Sequence, residues 1–146
     1  MRFRIIRGEG EAMIRVGEPP YLECSSKGDT RLSAFYARPS CLGGASIEEA
    51  YQVEKRFADG STGHDWREVR RRRELGDLAV NQEDCSALYS WLWDQYVAEN
   101  PHLLDVIRSA SGLSDIFGNP GRPCQATELW RIRNADHPLH PQGSEK

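Results

Sequence analysis

Glu48 is the residue whose type and place offer the most chemistry. It follows a long polar loop and falls in the first turn of Ser46-Ile47-Glu48-Glu49-Ala50-Tyr51-Gln52, which reads as a helix start. The helix dipole favours the ionised carboxylate there, and that form suits a base or a cation stabiliser. The plainer reading is an acidic residue that serves the dipole alone. Helical spacing puts Glu48, Gln52 and Lys55 in one row. Asp115 is second, within Ser114-Asp115-Ile116-Phe117-Gly118-Asn119-Pro120-Gly121. Aspartate in such a loop most often caps a turn. The segment lacks the Gly-Lys-Ser/Thr of a phosphate-binding P-loop. Trp66, beside Gly63, His64 and Arg67, either stacks on a flat ring or packs into the core. The arginines at 70–73 either grip phosphate as bidentate forks or form a solvated helix face. Lys27 and Arg31 add positive charge beside Asp29, and His64 reads as an exposed histidine.

These groups need elements to hold them. Ser46 with Glu49 three residues on is a capping box, so a helix is expected from Ile47 to Phe57, stopping at Asp59-Gly60. Its strip of Ile47 and Tyr51 faces the core. Residues 25–45 read as loop with short ordered pieces, and a loop that long is more often functional. Upstream, Phe3, Ile5 and then Met13, Ile14, Val16 flank the turn Arg7–Glu11, which predicts a β-hairpin. Pro19-Pro20 stops its second strand, and Tyr21, Leu22 and Cys24 make a third extended piece.

Downstream, a short helix is expected from Asp65 to Gly76. A long one follows over Gln82–Glu99, with Leu88, Trp91, Leu92, Tyr96 and Val97 at helical spacing. Asn100-Pro101 breaks it and opens a helix carrying Leu103, Leu104, Val106 and Ile107, closed by Gly112. Ser114–Arg122 is expected as loop. Pro123–Arg133 is expected as a last helix carrying Ala126, Leu129, Trp130 and Ile132. The expected fold is α+β, mainly helical, with an N-terminal β-hairpin. One domain covers residues 1–134, and 135–146 form a flexible tail.

At 146 residues the chain is the size of one domain. No run of about 20 apolar residues occurs, which a membrane-crossing helix would need. The first ten residues lack a long apolar stretch, so a secretory leader is not expected and a cytoplasmic location is. The net charge of −3 does not imply wholesale binding of nucleic acid. The four cysteines, at 24, 41, 85 and 124, lack zinc-site spacing. They are expected as reduced packing residues, with no metal and no cofactor.

One stretch carries a resemblance. Leu32-Ser33-Ala34-Phe35-Tyr36, a spacer, then Ser46-Ile47-Glu48-Glu49-Ala50-Tyr51-Gln52 and Lys55 resembles the N-terminal signature of the NADAR, or YbiA-like, family. That signature is Phe/Leu-Ser-Asn-Phe-Tyr followed by Ser-Val-Glu-His-x-Tyr-Gln and a Lys. Tyr89–Leu104 is similar to the family's helical middle. Ser114-Asp115 through Gln125, Leu129 and Arg131–Arg133 is loosely similar to its closing pattern, without its Trp-Gly. The resemblance spans about residues 28–134. Ala34 stands where the family usually has Asn, and Glu49 where it has His. The chain also resembles small bacteriophage proteins in general look.

The resemblance implies a YbiA-like fold and an N-glycosidase acting on an ADP-ribose-type or ribosylated base, for example one removing ADP-ribose from guanine. It implies that Glu48 stabilises an oxocarbenium-like sugar or activates water. Asp115 would orient ribose hydroxyls or that water. Trp66 would stack on the base, and Arg31 or Lys55 would hold phosphate or sugar. Ser33, Phe35, Tyr36, Tyr51, Gln52 and Gln125, carried over from the matched motifs, would complete the substrate site. The partner is then a nucleotide or ribosylated base, free or within nucleic acid, and not a membrane. Two alternatives stay open. The replaced Asn and His favour a non-catalytic module that binds or sequesters a nucleotide. The arginines at 70–73 favour a nucleic-acid-interacting factor.

Overall fold

Strand β5 (Gly112–Asp115) is the centre of the molecule, and all four of its residues are buried. The computed structural model describes residues 13–63, 66–79, 81–118 and 124–135, without the side chains of Trp66 and Gln82. On one edge of β5 runs β1 (Ile14–Gly17), antiparallel, with Ile14 opposite Asp115. On the other runs β2 (Tyr21–Glu23), parallel, with Tyr21 opposite Gly112. β1 and β2 are the N-terminal strand pair, joined through a cis Pro19–Pro20 bond, and β5 is inserted between its two arms. The expected hairpin partner Phe3–Ile5 and the turn Arg7–Glu11 lie outside the described residues, as does the tail from residue 136.

This placement corrects the sequence reading of Ser114–Arg122 as loop. Asp115 ends a central strand. Leu113 is the single apolar side chain between Gly112 and Asp115, too little for an alternation signal. The strand exists because two neighbours pair with it, which is tertiary context overriding local preference. Gly112, expected to close the preceding helix, instead opens β5. A Cβ there would lie 2.5 Å from the Glu18 carbonyl oxygen and 2.7 Å from Tyr21 Cδ1, so the sheet closes only around glycine.

Among the described residues five helices surround this sheet: α1 (Ile47–Val53), α2 (Trp66–Glu74), α3 (Gln82–Glu99), α4 (Pro101–Ser109) and α5 (Gln125–Arg133). The fold is α+β and mainly helical, as expected. The Ser46–Glu49 capping box is present in both directions. α1 stops at Val53, short of the expected Phe57. Arg56–Phe57 form strand β3, paired with β4 (Leu78–Ala79). Phe57 is buried, and the Arg72 guanidinium lies 3.7 Å over its ring. That contact requires the chain to turn back at Gly60, whose φ of 87° is left-handed.

The core joins Leu113 of β5 to Ile47, Leu92, Trp93, Leu103, Ile107, Leu129 and Ile132. The buried stripe of α3 is Cys85, Tyr89, Leu92, Trp93 and Val97. The expected stripe places Trp91 inside, but Trp91 is 38% exposed. α3 packs on α1, α4 and α5, so burial follows several neighbours and a single apolar strip is a poor guide. An edge-to-face series of rings runs along it, Tyr51–Tyr89–Trp93–Tyr96, with centroids 5.0, 6.4 and 5.6 Å apart. No helix among the described residues is long and apolar enough to cross a membrane.

Candidate functional site

The end of β5, the starts of α1 and α5, and one face of α3 enclose a cavity of about 430 Å³, a size suited to a small ligand. Its lining comes from several elements. On the α1–α2 side stand Glu48, Tyr51, Gln52, Lys55 and Arg73. The segment before α1 adds Ser26 and Phe35, the end of β5 and the chain after it add Asp115, Phe117, Gly118, Cys124 and Gln125, and Tyr89 of α3 also lines the space. The deep groups are Asp115 (2% exposed), Tyr89, Cys124 and Gln125, while Phe35 and Phe117 are 46% and 55% exposed. The two phenylalanine rings are therefore an exposed part of the lining and those deep groups a buried part.

Glu48 and Gln52 lie one turn apart on α1, as the spacing indicates, and Gln52 Nε2 donates to Glu48 Oε2 at 2.6 Å. Lys55, beyond the end of α1, completes the row. It is buried, with its Nζ 4.8 Å from the Tyr51 ring centroid, a cation–π contact. Burial raises the Glu48 carboxyl above its ordinary value, opposed by the Gln52 hydrogen bond and by the charges of Lys55 and Arg73. Burial thus works against the helix dipole, which favours the ionised form. Desolvation outweighs the Gln52 hydrogen bond and the two charges.

Asp115 is displaced further. Burial, reinforced by the negative charge of Glu23, pushes it up to about 6, against donors from the Phe117 amide, Gln125 and Cys124. Phe117 N donates to Oδ1 at 3.0 Å and Gln125 Nε2 to Oδ2 at 2.7 Å. The Phe117 bond is the turn-capping role that sequence suggests for Asp115. Glu23 is held nearby by donors from Ser114 Oγ, Ser25 N and Ile116 N, which fixes the loop beyond β5. Burial also raises the thiols of Cys124 and Cys24 and the Tyr89 hydroxyl. These groups stay protonated near neutral pH, so thiolate chemistry is not what this cavity offers.

Of the residues singled out from sequence, Glu48, Asp115, Phe35, Tyr51, Gln52, Lys55 and Gln125 line this one cavity. Three others do not. Ser33 is fully buried, and its Oγ accepts from Phe35 N at 3.3 Å, so it shapes the turn that carries Phe35. Tyr36 faces solvent. Arg31 is paired with Asp29 through two hydrogen bonds, at 3.0 and 2.7 Å, because the two lie two residues apart around a 3₁₀ turn at Thr30–Leu32. The Trp66 side chain and His64 lie outside the described residues.

The arginine run divides. Arg72 turns onto Phe57 and Asp77, Arg70 pairs with Glu74, and Arg73 reaches the cavity. It is not one continuous phosphate-facing row. Ser26, Tyr89, Phe117, Gly118 and Cys124 line the cavity without being singled out by sequence as site residues. Phe117 and Cys124 flank Asp115 and Gln125 closely in sequence, and that adjacency is the available signal. Tyr89 has none beyond its place on a long helix.

Among the described residues no three His, Cys, Asp or Glu side chains converge to hold a metal ion. No protein-family model matches the chain, and no curated protein matches it either.

Proposed function

We propose that the chain is an N-glycosidase whose substrate is a ribosylated base of the ADP-ribose type. The observation that carries this reading is the pair Glu48 and Asp115 in one cavity, each raised by burial but differently surrounded. Glu48 has Lys55 and Arg73 nearby, which favour its charged form. Asp115 has Glu23 nearby, which favours its neutral form. Two carboxyl groups with environments that push them apart are the arrangement that divides acid from base work.

The assigned roles follow. Asp115 gives its proton to the leaving base nitrogen as the bond to the sugar C1′ breaks and the bonding pair departs with the base. With a value of about 6, roughly a tenth of the molecules hold that proton at pH 7. Glu48 lies beside the oxocarbenium-like sugar and takes a proton from the water that bonds to C1′. The products are the free base and the ribose-bearing fragment. Phe35 and Phe117 are the rings suited to the base, taking the place that the resemblance gives to Trp66. Lys55 and Arg73 are the cations suited to a phosphate.

The test is incubation with ADP-ribosylated guanosine, with products read by mass spectrometry. Wild type is expected to release free guanine-containing and ribose-bearing products, and Glu48→Gln to lose at least about 100-fold in rate. Ligand recovered intact from a tight complex with wild type would replace this reading with the sequestering module.

A further inference from the structure

A chain of hydrogen bonds runs from one carboxyl group to the element that bears the other. Gln125 Nε2 donates to Asp115 Oδ2 at 2.7 Å, and Gln125 Oε1 accepts from Ala34 N at 2.9 Å. The Ala34 carbonyl in turn accepts from the backbone N–H of Glu48 at 2.9 Å, and the Ala37 carbonyl accepts from Ile47 N at 2.9 Å. The segment 33–37 is thereby docked onto the first turn of α1 and, through one side chain, onto Asp115. The orientation of the Gln125 amide is settled by its partners. A backbone N–H only donates, so the oxygen faces Ala34 and the NH₂ faces Asp115.

We propose that Gln125 is a positioning residue, whose amide ties the Asp115 carboxyl group to the backbone of the turn that docks on the Glu48 end of α1 and fixes the plane in which Asp115 holds or releases its proton. The assignment to acid and base work rests on the N-glycosidase reading; the coupling itself does not. With Phe117 N on Oδ1 and Gln125 on Oδ2, both oxygens are anchored, and a proton exchanged with any ligand uses the same remaining lone pairs. Gln125 is buried, at the first position of α5 and next to Cys124, so it is held by the fold and needs no ligand to order it. This changes its role from the substrate contact expected from sequence to a strut behind the contact.

The groups that face Asp115 are Glu23 from β2, Cys24 following that strand, Cys124 before α5, and Tyr89 from α3. Each is distinct from Gln125, so removing Gln125 changes one donor and leaves these in place. A donor lost from the ionised form makes that form less favourable.

The experiment is a carboxyl-carbon NMR titration of Asp115 in the ligand-free protein, in wild type and in Gln125→Met. Methionine keeps the length and apolar volume of the side chain and removes both hydrogen bonds. The midpoint is expected to rise by about one pH unit from its wild-type value. A folded Gln125→Met with an unchanged midpoint would overturn the proposal. Gln125→Glu supplies the second variant should methionine not fold. When protonated, the introduced carboxyl group reproduces the donor to Asp115. When ionised, it sets two carboxylates together, so Asp115 and the introduced group are expected to titrate as a coupled pair with one raised value. Independent titrations of the two would overturn the proposal as well. Because the readout needs no substrate, it separates this inference from the N-glycosidase reading. If turnover is found, Gln125→Met is expected to lower kcat about tenfold or more, with little change in KM, at a pH below both midpoints, where Asp115 holds its proton in either protein. An unaltered kcat would count against the positioning role.

Discussion

The Asp115 carboxyl group has its acidity set first by burial, which raises it, and then by the Phe117 amide, Glu23, Gln125 and Cys124. For Asp115 this has a consequence for stability as well as for chemistry. Its ordinary value is 3.8 and its value in the folded chain is about 6, so between those limits the native state holds a proton that the unfolded chain has released. The stability from this group is full below about 3.8, falls as pH rises through about 6, and is absent above. The shift corresponds to roughly 3 kcal/mol. Urea unfolding of wild type against Asp115→Asn at a series of pH values checks this. Wild type is expected to lose roughly 3 kcal/mol relative to the variant between about pH 3.5 and 7. A constant difference would contradict it. For Glu48, the expected effect of Glu48→Gln is loss of turnover with the fold kept. The glutamine oxygen can still accept from Gln52 Nε2, which now donates to Glu48 Oε2, and circular-dichroism melting of the two proteins should agree closely.

At the scale of elements, the site depends on two devices. The first is the capping box that starts α1 and sets the direction in which Glu48 leaves the backbone. Ser46→Ala is expected to lower stability by about 1 kcal/mol, measured by denaturant midpoint. The second is Gly112, where β1 and β2 approach β5 too closely for any Cβ. Gly112→Ala is expected to cost about 3 kcal/mol in the same assay, since backbone atoms would have to move. Of these two, the box is legible in Ser46 and Glu49 alone, because capping is a contact between residues three apart. The role of Gly112 is not, since its neighbours Glu18 and Tyr21 are some 90 positions away in the chain. The same distinction explains the misplaced residues. The Glu48–Gln52 contact is local and follows from helical spacing. The burial that raises Glu48, and the strand that holds Asp115, are set by partners remote in sequence. Helical spacing turns Trp91 inward and passes over Trp93, because α3 is flanked by three helices and its apolar residues do not form one strip.

At the scale of the whole molecule, the sheet, α1, α3 and α5 converge on a single space that gathers seven of the residues singled out for chemistry. Residue types at local spacing are enough to nominate them. Their meeting with Arg73 and Phe117 around one cavity exists only in the folded chain. On the proposed reading Phe35 and Phe117 take the flat ring, Lys55 and Arg73 the negative charge, and Glu48 and Asp115 act at the sugar. The most direct measurement is mass spectrometry of ADP-ribosylated guanosine, free and DNA-linked, after incubation with wild type and with Glu48→Gln. The expected result is cleavage of the base–ribose bond by wild type and almost none by the variant. Equal cleavage by both proteins, or none by a wild type that binds and returns the ligand intact, would contradict the assignment of Glu48 and with it the proposed activity.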